Sequence, residues 1–137
     1  MHMTKRTKDL YDARKELQTS GWDVTKASRF NSGSETVAHS ACKHLAAHYL
    51  RHELGYKVAF ETKHDTRGEI DVLAWGERET ICIECETNPN NDVIRDKLDR
   101  YIHGTPIDEM FLLNVDEMPY DIHGAYSWVD DQTYQLL

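Results

Sequence analysis

The sequence predicts a single α/β domain, and three observations predict it. Apolar residues recur at helical spacing, then alternate through three strand-length runs, then return to helical spacing before a short apolar run. A chain of 137 residues fits one compact domain that buries enough surface to fold without a metal or disulfide staple. Hydrophobic residues make up 39% and charged residues 29%, a balance that supports a real core.

Taken in order, residues 4–19 carry Leu10, Ala13 and Leu17 at helical spacing, and Gly21 stands where a helix end calls for positive φ. A strand with Trp22, Val24 and Phe30 among its apolar positions is expected next. Asn31-Ser32-Gly33-Ser34 punctuates the chain before a longer helix whose stripe is Ala38, Ala41, Cys42, Leu45 and Tyr49, with Gly55 as its stop. Three alternating strands read at 56–63, 69–75 and 80–87. Asn88-Pro89-Asn90-Asn91 breaks the pattern. Helix 92–103 then carries Ile94, Leu98, Tyr101 and Ile102 on one face, and 110–115 reads as a buried strand. Beyond Pro119 the pattern thins, and 125–129 reads as an edge strand.

Formal net charge is −8, but residues 1–31 hold seven Lys or Arg against four acids, which makes that arm +3 and the remainder −11. A basic arm on an acidic body suits a protein whose acids hold metal while other surfaces meet phosphate; a solvated charged helix accounts for it as well. Three cysteines, Cys42, Cys82 and Cys85, read as buried thiols in a reducing compartment. The N-terminus has no apolar signal core, and no run approaches the roughly 18 apolar residues of a membrane span. A cytoplasmic chain with no membrane partner is therefore expected.

The strands at 69–75 and 80–87 flank the turn Gly76-Glu77-Arg78-Glu79, which sets Trp75 opposite Thr80. That register pairs Ala74 with Ile81, Val72 with Ile83 and Ile70 with Cys85 as one apolar face. The other face places Asp71 across from Glu84 and Glu69 across from Glu86, with side-chain carbons about 5 Å apart. If 64–68 form the preceding turn, Phe60 meets Val72, Glu61 lies beside Asp71 and Lys63 beside Glu69. Opposed like charges destabilise a sheet unless a proton or cation neutralises them, and a hard divalent ion is the natural remedy. A solvated acidic face is the plain alternative.

At these residues the chain resembles the PD-(D/E)XK nuclease superfamily, in the style of archaeal Holliday-junction resolvases and viral or RecB-like nucleases. The strings GEIDVLAWG (68–76) and ICIECET (81–87) resemble the strands that carry that family's metal-binding Asp and its Glu-x-Lys pair, and residues 35–115 follow its element order. The resemblance implies a restriction-endonuclease-like αβββαβ core at about 33–115. Its central mixed sheet would carry helices on both faces, with residues 1–31 as a basic helix-strand extension. It implies Asp71, Glu84 and the Cys85 carbonyl as ligands of Mg2+ or Mn2+. Glu35 matches an acid near the start of the first core helix; Ser32-Gly33-Ser34-Glu35 is also a capping-box pattern, so ligand and cap both stand. The family's lysine is replaced here by Glu86. Lys97, on the following helix, and Lys63, on the acidic strand face, are the candidates to supply it.

Other motifs carry less. Cys82-Ile83-Glu84-Cys85 is formally a CxxC, but residues three apart on a strand point to opposite faces. His39, His44, His48 and His52 recur at near-helical spacing without an HExxH motif, and read as the polar flank of a half-exposed helix, with a transition-metal row at His44, His48 and His52 as the alternative. Neither a phosphate-cradling glycine loop nor a serine nucleophile elbow is present.

The leading functional expectation is a divalent-metal-dependent DNA endonuclease acting on branched, flapped or duplex DNA, for which a symmetric homodimer would suit two-strand cutting. The alternatives are a nucleic-acid-binding module on the same fold that has lost catalysis, and an acidic protein that meets a basic partner.

Overall fold

The computed structural model describes residues 10–24 and 36–133. The N-terminal part of the expected first helix, most of the basic arm, Phe30 and Glu35 lie outside them. Helix α1 (Leu10–Thr19) buries Ala13 and Leu17 completely. It ends at Gly21, whose φ of +99° lets Trp22 N–H donate back to the Leu17 carbonyl at 3.0 Å.

The strand expected after α1 is not formed over the described residues 22–24. Trp22 makes a single antiparallel bridge to His64, and Asp23 N–H donates to the Lys63 carbonyl at 3.1 Å. Side-chain packing takes over from the ladder: the Trp22 ring meets His64 edge-on at 4.7 Å and Tyr101 at 6.1 Å.

Helix α2 (Val37–His48) is capped by Thr36, whose hydroxyl accepts from His39 N–H at 3.1 Å. It continues into one π-helical turn, Tyr49–Glu53, and stops at Gly55, where φ is +77°. The wider turn turns both Tyr49 and Leu50 into the core. The buried stripe is therefore Cys42, Lys43, Ala46, Ala47, Tyr49 and Leu50, with the predicted Ala41 and Leu45 only partly covered.

Four strands follow the predicted order: β1 (Lys57–His64), β2 (Gly68–Trp75), β3 (Thr80–Glu86) and β4 (Glu109–Asn114). They form one mixed sheet in that spatial order. β1, β2 and β3 are antiparallel, while β4 runs parallel to β3 after the crossover helix α3 (Asn91–Tyr101). The predicted register holds at Trp75–Thr80, Ala74–Ile81, Val72–Ile83, Phe60–Val72 and Lys63–Glu69.

The expected division into one apolar and one acidic face does not hold. Both faces carry core: Ala59, Ile70, Leu73, Trp75, Cys82, Met110 and Leu112 pack with α1 and α3, whereas Val72, Ala74, Ile81, Ile83, Cys85, Phe111 and Leu113 pack with α2. Ile70 thus leaves the face of Val72. Glu61, with φ of +45°, and Asp71 drop out of the β1–β2 ladder together, and the period of two is broken there. The Glu61 carboxylate turns to the buried Lys43 ammonium at 2.8 Å, on the α2 side.

The segment expected as an edge strand at 125–129 is instead part of helix α4 (Ile122–Thr133). Ala125, Val129 and Thr133 are buried at four-residue spacing, and the Asp121 side chain caps the helix by accepting from Gly124 N–H at 2.7 Å. α4 packs with α2 in the same core. The chain is thus an α/β fold with helices on both faces of a four-stranded mixed sheet. Among the described residues no helix is long and apolar enough to cross a membrane.

Candidate metal centre

The β2–β3 ladder runs regularly from Trp75–Thr80 to Val72–Ile83 and then opens. In the gap, two carboxylates replace the missing backbone acceptors. Asp71 N–H donates to Glu84 Oε2 at 2.7 Å, and Cys85 N–H donates to Asp71 Oδ2 at 2.9 Å. Each acid is fixed by an amide of the opposite strand, and neither can leave without orphaning that donor.

Glu84 is 1% exposed. Burial, then the charge of Asp71, push its carboxyl up to about 8, against the pull of Lys97. Lys97 comes from α3, whose N-cap Asn90 accepts from Val93 N–H at 2.9 Å and whose Ile94, Leu98 and Tyr101 pack into the α1-side core. That anchoring lays the Lys97 ammonium 2.6 Å from Glu84 Oε1 and 2.9 Å from Glu86 Oε1. Burial works against its charge, but Glu84 and Glu86 outweigh it and hold the ammonium protonated. Tyr101 OH donates to the Glu69 carbonyl at 2.8 Å and so ties α3 to the start of β2.

These groups border a cleft of about 260 Å³ lined by Thr36, His39, Glu69, Asp71, Glu84, Cys85, Glu86, Thr87 and Lys97. Of the residues singled out from sequence, Asp71, Glu84, Cys85, Glu86 and Lys97 converge here. Lys63 does not: it is exposed and, among the described residues, pairs with Glu69 at 4.0 Å. Glu61 lies under α2 with Lys43, and Glu35 is outside the described residues.

One participant was not anticipated. His39 Nε2 lies 3.4 Å from Asp71 Oδ2. The sequence groups His39 with His44, His48 and His52, but that row divides: the His44 ring packs on Phe60 at 4.8 Å, and His48 and His52 pack on each other at 4.3 Å. The usable signal was the spacing of His39 and Lys43. Four apart on one helix, they meet Asp71 and Glu61, which drop out of the β1–β2 ladder together.

The donor set fits a hard divalent cation, since two carboxylates stand together in a solvent-reached cleft with one of them destabilised in its charged form. The N–H of Cys85 faces Asp71, and in a strand the carbonyl of a residue turns to the same neighbour as its N–H, so the Cys85 carbonyl is directed toward β2. Searched against protein-family models, curated proteins and solved structures, the chain matches none.

Proposed function

We propose that the chain is a divalent-metal-dependent deoxyribonuclease of the PD-(D/E)XK type, with DNA as its substrate and Mg2+ or Mn2+ as its cofactor. The observation that carries this reading is the opening of the β2–β3 ladder at Asp71 and Glu84, with the Lys97 ammonium brought to the same point from α3. Such local openings of a ladder are over-represented next to active sites, and here the acids that fill the opening are the ones that border the cleft.

Asp71, Glu84 and the Cys85 carbonyl would hold the cation, and His39 borders it through Asp71. When bound, the ion supplies positive charge to the scissile phosphate and acidifies a water. Lys97 places a fixed ammonium where negative charge develops on phosphate. Glu86 holds that ammonium at 2.9 Å and accepts a proton from water on the cleft side, where it is only partly buried. A symmetric pair of chains would present two such clefts for two-strand cutting.

A second reading, a DNA-binding module without catalysis, draws support from Glu86 in the place of the family's lysine and from the double engagement of Lys97 by carboxylates. Labelled four-way junction, flap, duplex and single-stranded DNA, each incubated with Mg2+ or Mn2+ beside Asp71→Asn, separates the two. Cutting that needs metal and is lost in the variant supports the nuclease. Intact DNA with binding retained supports the module, and no binding at all returns the acidic interaction protein.

A further inference from the structure

We propose that the cleft also contains a soft-metal site, selective for Zn2+ and its analogue Co2+, formed by His39 Nε2, Asp71 Oδ2 and Cys85 Sγ. These three atoms lie within 4.8 Å of one another, and theirs is the one such group of three His, Cys, Asp or Glu donors among the described residues. They come from three separate elements, the first turn of α2, the middle of β2 and the end of β3, so the arrangement is set by the fold.

The donor types decide the ion. Imidazole, thiolate and carboxylate together are a zinc or cobalt set, whereas Mg2+ takes oxygen and leaves sulfur alone. One pair already stands at ligand spacing: ligands about 2.0–2.3 Å from a tetrahedral ion are roughly 3.3–3.8 Å apart, and His39 Nε2 is 3.4 Å from Asp71 Oδ2, with the sulfur within 4.8 Å of both. That separation is long for a strong hydrogen bond and ordinary for two ligands of one ion. Behind Cys85 Sγ, at 3.1 Å, stands Cys42 Sγ, a second sulfur that can accept the thiol's hydrogen bond before metal arrives. The side chains of His39 and Asp71 are 29% and 20% exposed, which gives an ion a way in from the cleft. As the sulfur–metal bond forms, the Cys85 thiol proton passes to solvent.

Asp71 belongs to both donor sets. Insofar as the hard-cation reading above holds, Zn2+ and Mg2+ therefore exclude one another, and zinc would silence the cleft by withdrawing Asp71.

The test uses the reduced, metal-free full chain titrated with Co2+ and followed by absorption. A thiolate-to-cobalt charge-transfer band is expected to rise, to saturate at one equivalent and to disappear when Zn2+ is added. Cys85→Ser should remove the band and Cys82→Ser should leave it. Should Cys85→Ser fail to fold, His39→Ala, at a half-exposed position, gives the answer by weakening cobalt binding about 10-fold or more. No thiolate band from folded wild type overturns the proposal, as does a band undiminished in both Cys85→Ser and His39→Ala. Because no DNA enters the experiment, its failure leaves the nuclease reading standing, and an inactive nuclease leaves the cobalt result standing.

Discussion

The Lys97 ammonium lies 2.9 Å from the Glu86 carboxylate, so α3 delivers a cation to an acidic position at the end of β3. The same nitrogen is 2.6 Å from Glu84, with both Lys97 and Glu84 buried. Removing it leaves a buried carboxylate uncompensated wherever Glu84 is ionised, above about pH 8, where the comparison is made. Lys97→Ala is expected to cost about 3–5 kcal/mol of stability, as measured by urea unfolding. It is also expected to slow DNA cleavage about 100-fold or more. Adding Glu86→Lys to Lys97→Ala should recover at least part of both losses, because the new ammonium starts from the strand itself. Recovery of stability without any recovery of rate would assign Lys97 a structural role only.

Much of this was legible beforehand. The strand order and the register at Trp75–Thr80 followed from alternation and one short turn, both local properties of the chain. Lys97 was legible as a candidate because helix spacing places it beside the stripe of Ile94, Leu98 and Tyr101. What escaped depends on contacts far apart in sequence. Glu61 takes positive φ where its carboxylate meets Lys43 under α2, and Ile70 lies on the other face of the sheet from Val72. His39 acquires a role only when α2 lies across the opened ladder. The helix over 125–129 is not legible because so short an apolar run fits either period, and its cap, Asp121, stands outside that run.

Asp71→Asn should separate folding from metal binding. An asparagine oxygen still accepts from Cys85 N–H, and the loss of a charge beside Glu84 relieves the repulsion that burial makes severe. Metal-free Asp71→Asn is therefore expected to melt at or above the wild-type temperature. Wild type should gain about 2.7 kcal/mol of stability in Mn2+ at 100 times its dissociation constant, and the variant close to nothing. Thermal melts with and without Mn2+ make the comparison; equal gains in both proteins would remove Asp71 from the ligand set. Glu86→Gln, farther from the opened ladder, should retain most of the Mn2+ gain.

The Glu84 carboxyl sets a pH dependence whose sign can be worked out. Its folded value, about 8, lies above the ordinary 4.5, because burial and then Asp71 disfavour the charged form. The folded state therefore holds this proton more tightly than the unfolded chain. The resulting stabilisation is complete below pH 4.5 and is lost as pH rises to about 8. Metal-free wild type should lose stability across that window relative to Glu84→Gln, which has nothing to titrate. Metal binding needs the carboxylate, so Mn2+ affinity should rise over the same window with release of a proton. Urea unfolding as a function of pH and calorimetry in two buffers of different ionisation enthalpy measure the two halves. A flat wild-type-minus-variant difference would mean that Lys97 keeps Glu84 ionised throughout.

The ion pair beneath α2 offers a test of the fold apart from the cleft. Lys43 and Glu61 meet at 2.8 Å with side chains 3% and 9% exposed, so water contributes little to either charge. Two desolvated charges gain from each other about what their burial costs, and the loss of one partner is far worse than the loss of both. Lys43→Met is expected to destabilise the protein by about 3–5 kcal/mol. Lys43→Met with Glu61→Leu should recover most of that, since the strain of a side chain at positive φ is already present with Glu61. A second double variant, with Glu61→Gly in place of Glu61→Leu, removes this strain and should be the more stable of the two. If the double variants were no more stable than Lys43→Met alone, the Glu61 kink would have to be held by the backbone of β1 and β2, with the salt bridge a consequence of the kink and not its cause.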